Sequence, residues 1–248
     1  MTSSDISDSP RLVLNCAEER IQVVLGTGSE VMFSEEILCP GQSIRHLPTA
    51  MERGLRVRGI RAGDLAGIAC VRGPGSFTGL RIAHAAMHGL ARPHAVPMAG
   101  LSYLEILAGQ AAPFAHGKEL WVLTYARKGQ VYIQGFQAGL PLTPVRPLPV
   151  AEARALLQGR AAGAFLLGSG LRKNPDHLDL PDLSVLPTIL DTPSPASLLR
   201  AACAATYSSQ TPQPLYLRKS DAEDNLDVIA SSRGIQADEA RKHIPDFE

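Results

Sequence analysis

Apolar positions along this chain come in short runs broken by glycine, serine and glutamate. RLVLNC (a strand from Leu12 to Cys16), IQVVLG and EVMFSE follow one another closely, the second connection being of the Gly26-Thr27-Gly28 type. Short runs joined by tight turns predict a three-stranded antiparallel meander. From Ser43 to Gly54 the apolar residues Ile44, Leu47, Ala50 and Met51 return at helical spacing, with Ser43 as N-cap. Pro48 inside this stretch predicts a kink or an irregular start. LAGIACV (Leu65 to Val71) then reads as a buried strand running straight into RGPGSFTG, with a second helix from about Thr78 to Leu90.

A second round begins near Lys118. ELWVLTYA and QVYIQGFQ are strands around a Lys128-Gly129 turn, followed by a proline-rich connection from Pro141 to Pro149. A helix over Ala151 to Leu157, a strand AFLLG and a helix from Ser194 to Tyr207 complete it. Two units of strands followed by helices predict two α/β lobes of related plan. The self-similarity lies in element order; no residue repeat accompanies it. The break falls between Gly109 and Gly117, giving lobes over residues 1–110 and 111–232 and a polar, loose tail over 233–248.

Composition narrows the function. Of 248 residues, 45% are apolar and 19% charged, a globular rather than a disordered balance. Lys plus Arg (24) cancels Asp plus Glu (24), so no electrostatic footprint exists for holding a polyanion unaided. Cys16, Cys39, Cys70 and Cys203 are widely spaced without a C-x-x-C pair, and read as reduced cysteines. The start MTSSDISDSP lacks the basic and apolar regions of a signal peptide, and no apolar run approaches the roughly 18 residues of a membrane span. A cytoplasmic protein without a membrane segment is expected.

VRGPGSFTGLR (Val71 to Arg81) carries the most information. Glycines let a backbone take positive φ and let another surface approach without a Cβ in the way. Ser76 and Thr78 supply N-cap oxygens, and the free N–H groups of a helix start suit an anion. A purely structural turn fits the same residues. The spacing matches neither a P-loop, since no lysine follows the glycines, nor G-x-G-x-x-G, nor a G-x-S-x-G elbow.

GPGSFTGLRI, following a strand and opening an alanine-rich helix, resembles the TsaB (YeaZ) family of threonylcarbamoyladenosine biosynthesis proteins. AVPMAGLSYLE (Ala95 to Glu105), ARKGQVY (Ala126 to Tyr132) and PLYLR (Pro214 to Arg218) match more weakly in the expected order. The resemblance implies the α/β, two-lobed fold shared by actin, hexokinase and the chaperone ATPases (ASKHA), with duplicated strand-helix lobes. It implies a non-catalytic scaffold subunit that binds and activates a catalytic TsaD-like paralogue, which transfers threonylcarbamoyl to the adenosine beside the tRNA anticodon. A TsaE-like ATPase would complete the set, tRNA would be met only through the complex, and the chain alone would form a homodimer. No intrinsic cofactor is implied; ATP or ADP would sit only at the junction with the partner. The turn residues carried by the match are Gly73, Pro74, Gly75, Ser76, Phe77, Thr78, Gly79 and Arg81.

Departures from the family pattern bear on chemistry. Asn15 and Tyr125 stand where the family more usually shows Asp, and neither supplies the charge a divalent cation needs. The partner's metal-binding His-x-x-x-His register falls on Tyr103 and Leu107, and Leu107 cannot be a ligand. Gln42-Ser43-Ile44 replaces the family's His-Ser-Glu. His84 and His88 form a different His-x-x-x-His on the glycine-turn helix, read either as a metal pair or as a polar or interface-facing stripe. Arg53, Arg56, Arg58 and Arg61 read either as a solvated loop or as a local phosphate contact to tRNA in the assembled complex.

The helix GLRIAHAAMHGLA is apolar on nearly every side, more than one core-facing stripe requires. It is either sandwiched inside its own lobe or part of an intermolecular helix bundle with the Ser43 to Gly54 helix. The resemblance favours the bundle, with Leu47, Met51, Leu80, Ala83, His84, Met87 and Leu90 as interface residues. The competing class is an enzyme: a metal-dependent glycoprotease-like hydrolase or a sugar-kinase-like phosphotransferase.

Overall fold

The computed structural model describes residues 9–160, 163–175, 178 and 180–218. The meander forms as β1 (Arg11–Asn15), β2 (Arg20–Thr27) and β3 (Glu30–Leu38). Helix α1 (Ser43–Val57) follows, then β4 (Gly67–Gly73) and α2 (Phe77–Ala91). Ser43 is the first residue of α1 rather than its cap; Gln42 holds the cap position without a side-chain bond. Pro48 lies inside the helix in its second turn, where it forfeits the bond an N–H would give to the Ile44 carbonyl. Strand β5 (Met98–Ser102) and helix α3 (Tyr103–Ala111) come next, a pair that the hydrophobic pattern does not announce.

The second sheet is built from β6 (Glu119–Arg127), β7 (Gln130–Gln137), β8 (Leu140–Pro141) and β9 (Arg146–Pro149), then helix α4 (Val150–Gln158) and strand β10 (Phe165–Leu167). A short helix α5 (Ser169–Arg172), strand β11 (Ser184–Val185) and helix α6 (Pro195–Ala204) follow. The strand orders are β3-β2-β1-β4-β5 and β11-β10-β6-β7-β8, with β9 also on β7. In each sheet an antiparallel hairpin leads, and its first strand pairs in parallel with the strand after the next helix: β1 with β4, β6 with β10. A further parallel strand extends each, β5 on β4 and β11 on β10. That shared order repeats one strand–helix plan in the two sheets.

Three apolar clusters hold these layers. α1 and α2 cover one face of the first sheet through Leu47, Met51, Ala83 and Met87, packed on Leu12, Leu14, Ile21 and Ile68. α4 and α5 cover the far face of the second sheet around Trp121, Leu123 and Ile133. Between them, α3 and α6 lie in a central cluster shared by Val13 and Ala69 of the first sheet and Val122 and Phe136 of the second. Both sheets belong to one compact unit, Met1–Leu215; Tyr216–Glu248 is a separate one. Residues 219–248, including the tail expected over 233–248, lie outside the described residues.

Candidate interaction site

The glycine turn is shaped by what it packs against. A Cβ on Gly75 would stand 2.3 Å from the Ala17 carbonyl oxygen, and one on Gly79 would stand 2.1 Å from that of Cys16. Both distances are impossible, so these glycines let the start of α2 close onto the β1–β2 turn. Ser76 N–H donates to the Ala17 carbonyl at 2.6 Å, and Ser76 Oγ caps the helix by accepting from Gly79 N–H at 3.2 Å. The amides that would greet an anion are thus partly spent on the protein's own backbone. Phe77 is half-buried with the Arg81 guanidinium 3.8 Å from its ring centre, and Thr78 and Arg81 are exposed. Gly73 and Pro74 are buried beneath.

Most residues expected at an intermolecular face point the other way. Leu47, Leu80, Ala83 and Met87 are 0% exposed and Met51 and His84 only 6%; Leu90 alone of that set is half-exposed. They fill the space between the helices and the sheet, because the sheet face is itself wholly apolar and needs covering. The outward face of α2 instead presents Thr78, Arg81, Ala85 and Gly89, bordered by Ile82, Ala86 and Leu90. A Cβ on Gly89 would meet nothing within 4 Å. On α1 beside it, Ile44 is 66% exposed. The periodicity could not separate these two faces, since alanines occupy both.

Each of the two histidines has one ring nitrogen engaged within the chain. His84 Nδ1 donates to the Leu80 carbonyl at 2.8 Å, and burial lowers its pKa. His88 Nε2 accepts from the Arg92 guanidinium at 3.2 Å. Among the described residues no three metal-ligating side chains come together.

The strand ends tell the same story. Asn15 is buried; its Oδ1 accepts from Ala17 N–H at 3.0 Å and its Nδ2 donates to Gln22 at 2.8 Å. Gln22 in turn donates to the Pro193 carbonyl and to Glu36, each at 2.7 Å. The amide is therefore a structural link, using a donor that aspartate lacks. Tyr103 and Leu107 are buried in the central cluster. Of the four arginines, Arg53 pairs with Glu35, Arg56 with Glu52 and Arg61 with Asp64.

A family model described as TsaD: tRNA N6-adenosine threonylcarbamoyltransferase matches residues 40–139. The chain is 29% identical over 228 residues to the tRNA threonylcarbamoyladenosine biosynthesis protein TsaB of Escherichia coli (strain K12), covering 87% of this chain and 97% of that relative. YeaZ from Pseudomonas aeruginosa superposes with a TM-score of 0.70 at 25% identity, over 84% of this chain and 100% of that one. Over most of its length the chain is thus similar to TsaB and YeaZ proteins. A second Pseudomonas aeruginosa structure, of a protein described as similar to peptidase YEAZ, gives 0.69 at 25% identity, over 85% of this chain and 100% of the other. In this TsaB-like chain the GPGSFTG turn joins β4 to α2 by close backbone packing. Among the described residues no helix is long and apolar enough to cross a membrane.

Proposed function

We propose that this chain is a non-catalytic scaffold subunit in tRNA threonylcarbamoyladenosine formation, binding and activating a TsaD-like catalytic paralogue. One observation carries the reading within the family: the positions that would hold a metal in a working relative are built into the fold. Asn15 is an amide tied to Ala17 and Gln22, and Tyr103 and Leu107 are buried. The partner would dock on the outward faces of α1 and α2, where Ala85 and Gly89 let a second helix approach and Ile44 adds apolar area. The same faces would serve a homodimer in the partner's absence. A TsaE-like ATPase completes the assembly, and ATP or ADP belongs at the junction with the partner.

Reconstitution tests this. The purified chain alone should neither hold a stoichiometric divalent metal nor hydrolyse ATP above background. Added to the TsaD-like paralogue, it should raise threonylcarbamoyl transfer to tRNA. Turnover of ATP by the isolated chain that survives further purification, or full transfer activity without it, refutes the reading.

A further inference from the structure

The β1–β2 hairpin turns at Ala17-Glu18-Glu19, and α5 starts at Ser169 directly after β10. Glu18 reaches across between them. Its Oε1 accepts a hydrogen bond from Ser169 Oγ, and its Oε2 accepts one from the Tyr103 hydroxyl at 3.2 Å. Ser169 Oγ is fixed in turn, accepting from Tyr125 N–H at 2.9 Å near the end of β6. One residue further on, Glu19 pairs with Lys173 Nζ at 2.7 Å, and that ammonium lies 4.5 Å from the Tyr125 ring centre. The residues so joined come from a turn of the first sheet, from α3, and from the strand end and helix start of the second sheet.

We propose that Glu18 is a clasp between the two lobes, tying their strand ends together with the protein's own side chain. The clasp is independent of the partner reading above. It also responds to protons. Burial pushes the Glu18 carboxyl up from its ordinary range, against the hydrogen bonds from Ser169 and Tyr103 and the charge of Lys173, while Glu19 adds to the rise. Tyr103 is raised as well, by burial and then by Glu18; Arg20 and Asp191 also act on it. Asp191 is itself paired with Arg172. A carboxyl raised in the folded state supports that state fully below its unfolded pKa, and the support is lost as pH rises through the folded value. Protonated, Glu18 keeps both bonds by donating one of them; ionised, it carries a buried charge. The clasp therefore loosens as pH rises.

Hydrogen exchange on the full chain reads the clasp directly. In Glu18→Ala, amides around residues 17–20 and 168–173 should lose protection by about tenfold or more, the scale of one hydrogen bond to a charged group, while those of the β2–β3 hairpin stay unchanged. Glu18→Gln, a neutral isostere, should keep the protection. Between about pH 5 and about pH 8, protection corrected for intrinsic exchange should fall in the wild type and stay level in Glu18→Gln. If Glu18→Ala fails to fold, Ser169→Ala carries the first comparison with the same expected loss. Unchanged protection in the alanine variant, or a pH trend in Glu18→Gln as steep as in wild type, overturns the proposal.

Discussion

Gly79 and Gly89 share one helix and face opposite constraints. At Gly79 a methyl would strike the Cys16 carbonyl, and backbone cannot step aside as a side chain can. Gly79→Ala should therefore cost about 3 kcal/mol or more, in the range of overpacking a tight core. At Gly89 the space is open, so Gly89→Ala should stabilise the isolated chain by about 0.5–1 kcal/mol through helix propensity. Urea midpoints of the two variants check both signs. His84 supplies a pH effect opposite to that of Glu18. Burial lowers its pKa, so its support is present above the unfolded value near 6.5 and is lost as pH falls through the folded one. His84→Asn, which keeps a donor for the Leu80 carbonyl, should lose less melting temperature than wild type between about pH 7.5 and about pH 5.5. The glycine spacing is visible in the sequence; that it serves close approach to the Cys16 and Ala17 carbonyls is not, because the contacted backbone lies in another turn.

α2 shows what an element's own residues reveal and conceal. Its start, its cap and its length are legible, since Ser76 and the following apolar run mark a helix after a strand. Its buried side is not, because alanine occurs all around it and only the sheet decides which alanines are covered. Ala83→Glu should therefore unfold the protein, placing a carboxylate among Met87, Leu14 and Ile68, at a cost of several kcal/mol. Ala85→Glu, on the exposed face, should leave melting nearly unchanged while abolishing association with the TsaD-like paralogue or a second copy. Thermal melting and light scattering on the same samples separate the two outcomes, and an Ala85→Glu variant that still associates moves the interface elsewhere. β5 and α3 escaped the hydrophobic pattern for a related reason. VPMAGLSYLEILAGQ is apolar almost throughout, so neither a period of two nor one of 3.6 stands out, although both elements lie deep in the central cluster. The short strands β8, β9 and β11 hold two to four residues, prolines among them, too few for any period.

At the scale of the molecule, the central cluster makes two topologically similar sheets interdependent. Phe136 of the second sheet is buried in the same apolar mass as Val13 of the first. Phe136→Ala should cost about 3–5 kcal/mol and lower a single melting transition, not split it in two; calorimetry with circular dichroism checks this. Charge is distributed on the same scale and bears on the RNA. The chain has no net charge, and three of the four arginines between Arg53 and Arg61 are neutralised by Glu35, Glu52 and Asp64. Each phosphate contact released by salt contributes about 0.9 to the slope of log affinity against log salt on a duplex. With so few uncommitted cations in that stretch, tRNA binding by the isolated chain should be weak, with a slope no steeper than about −2. Arg58 has no ion pair among the described residues, so Arg58→Ala should remove about one unit of whatever slope is measured. Filter binding across a salt series tests both. Tight binding that persists at physiological salt would mean that the chain carries an RNA surface of its own.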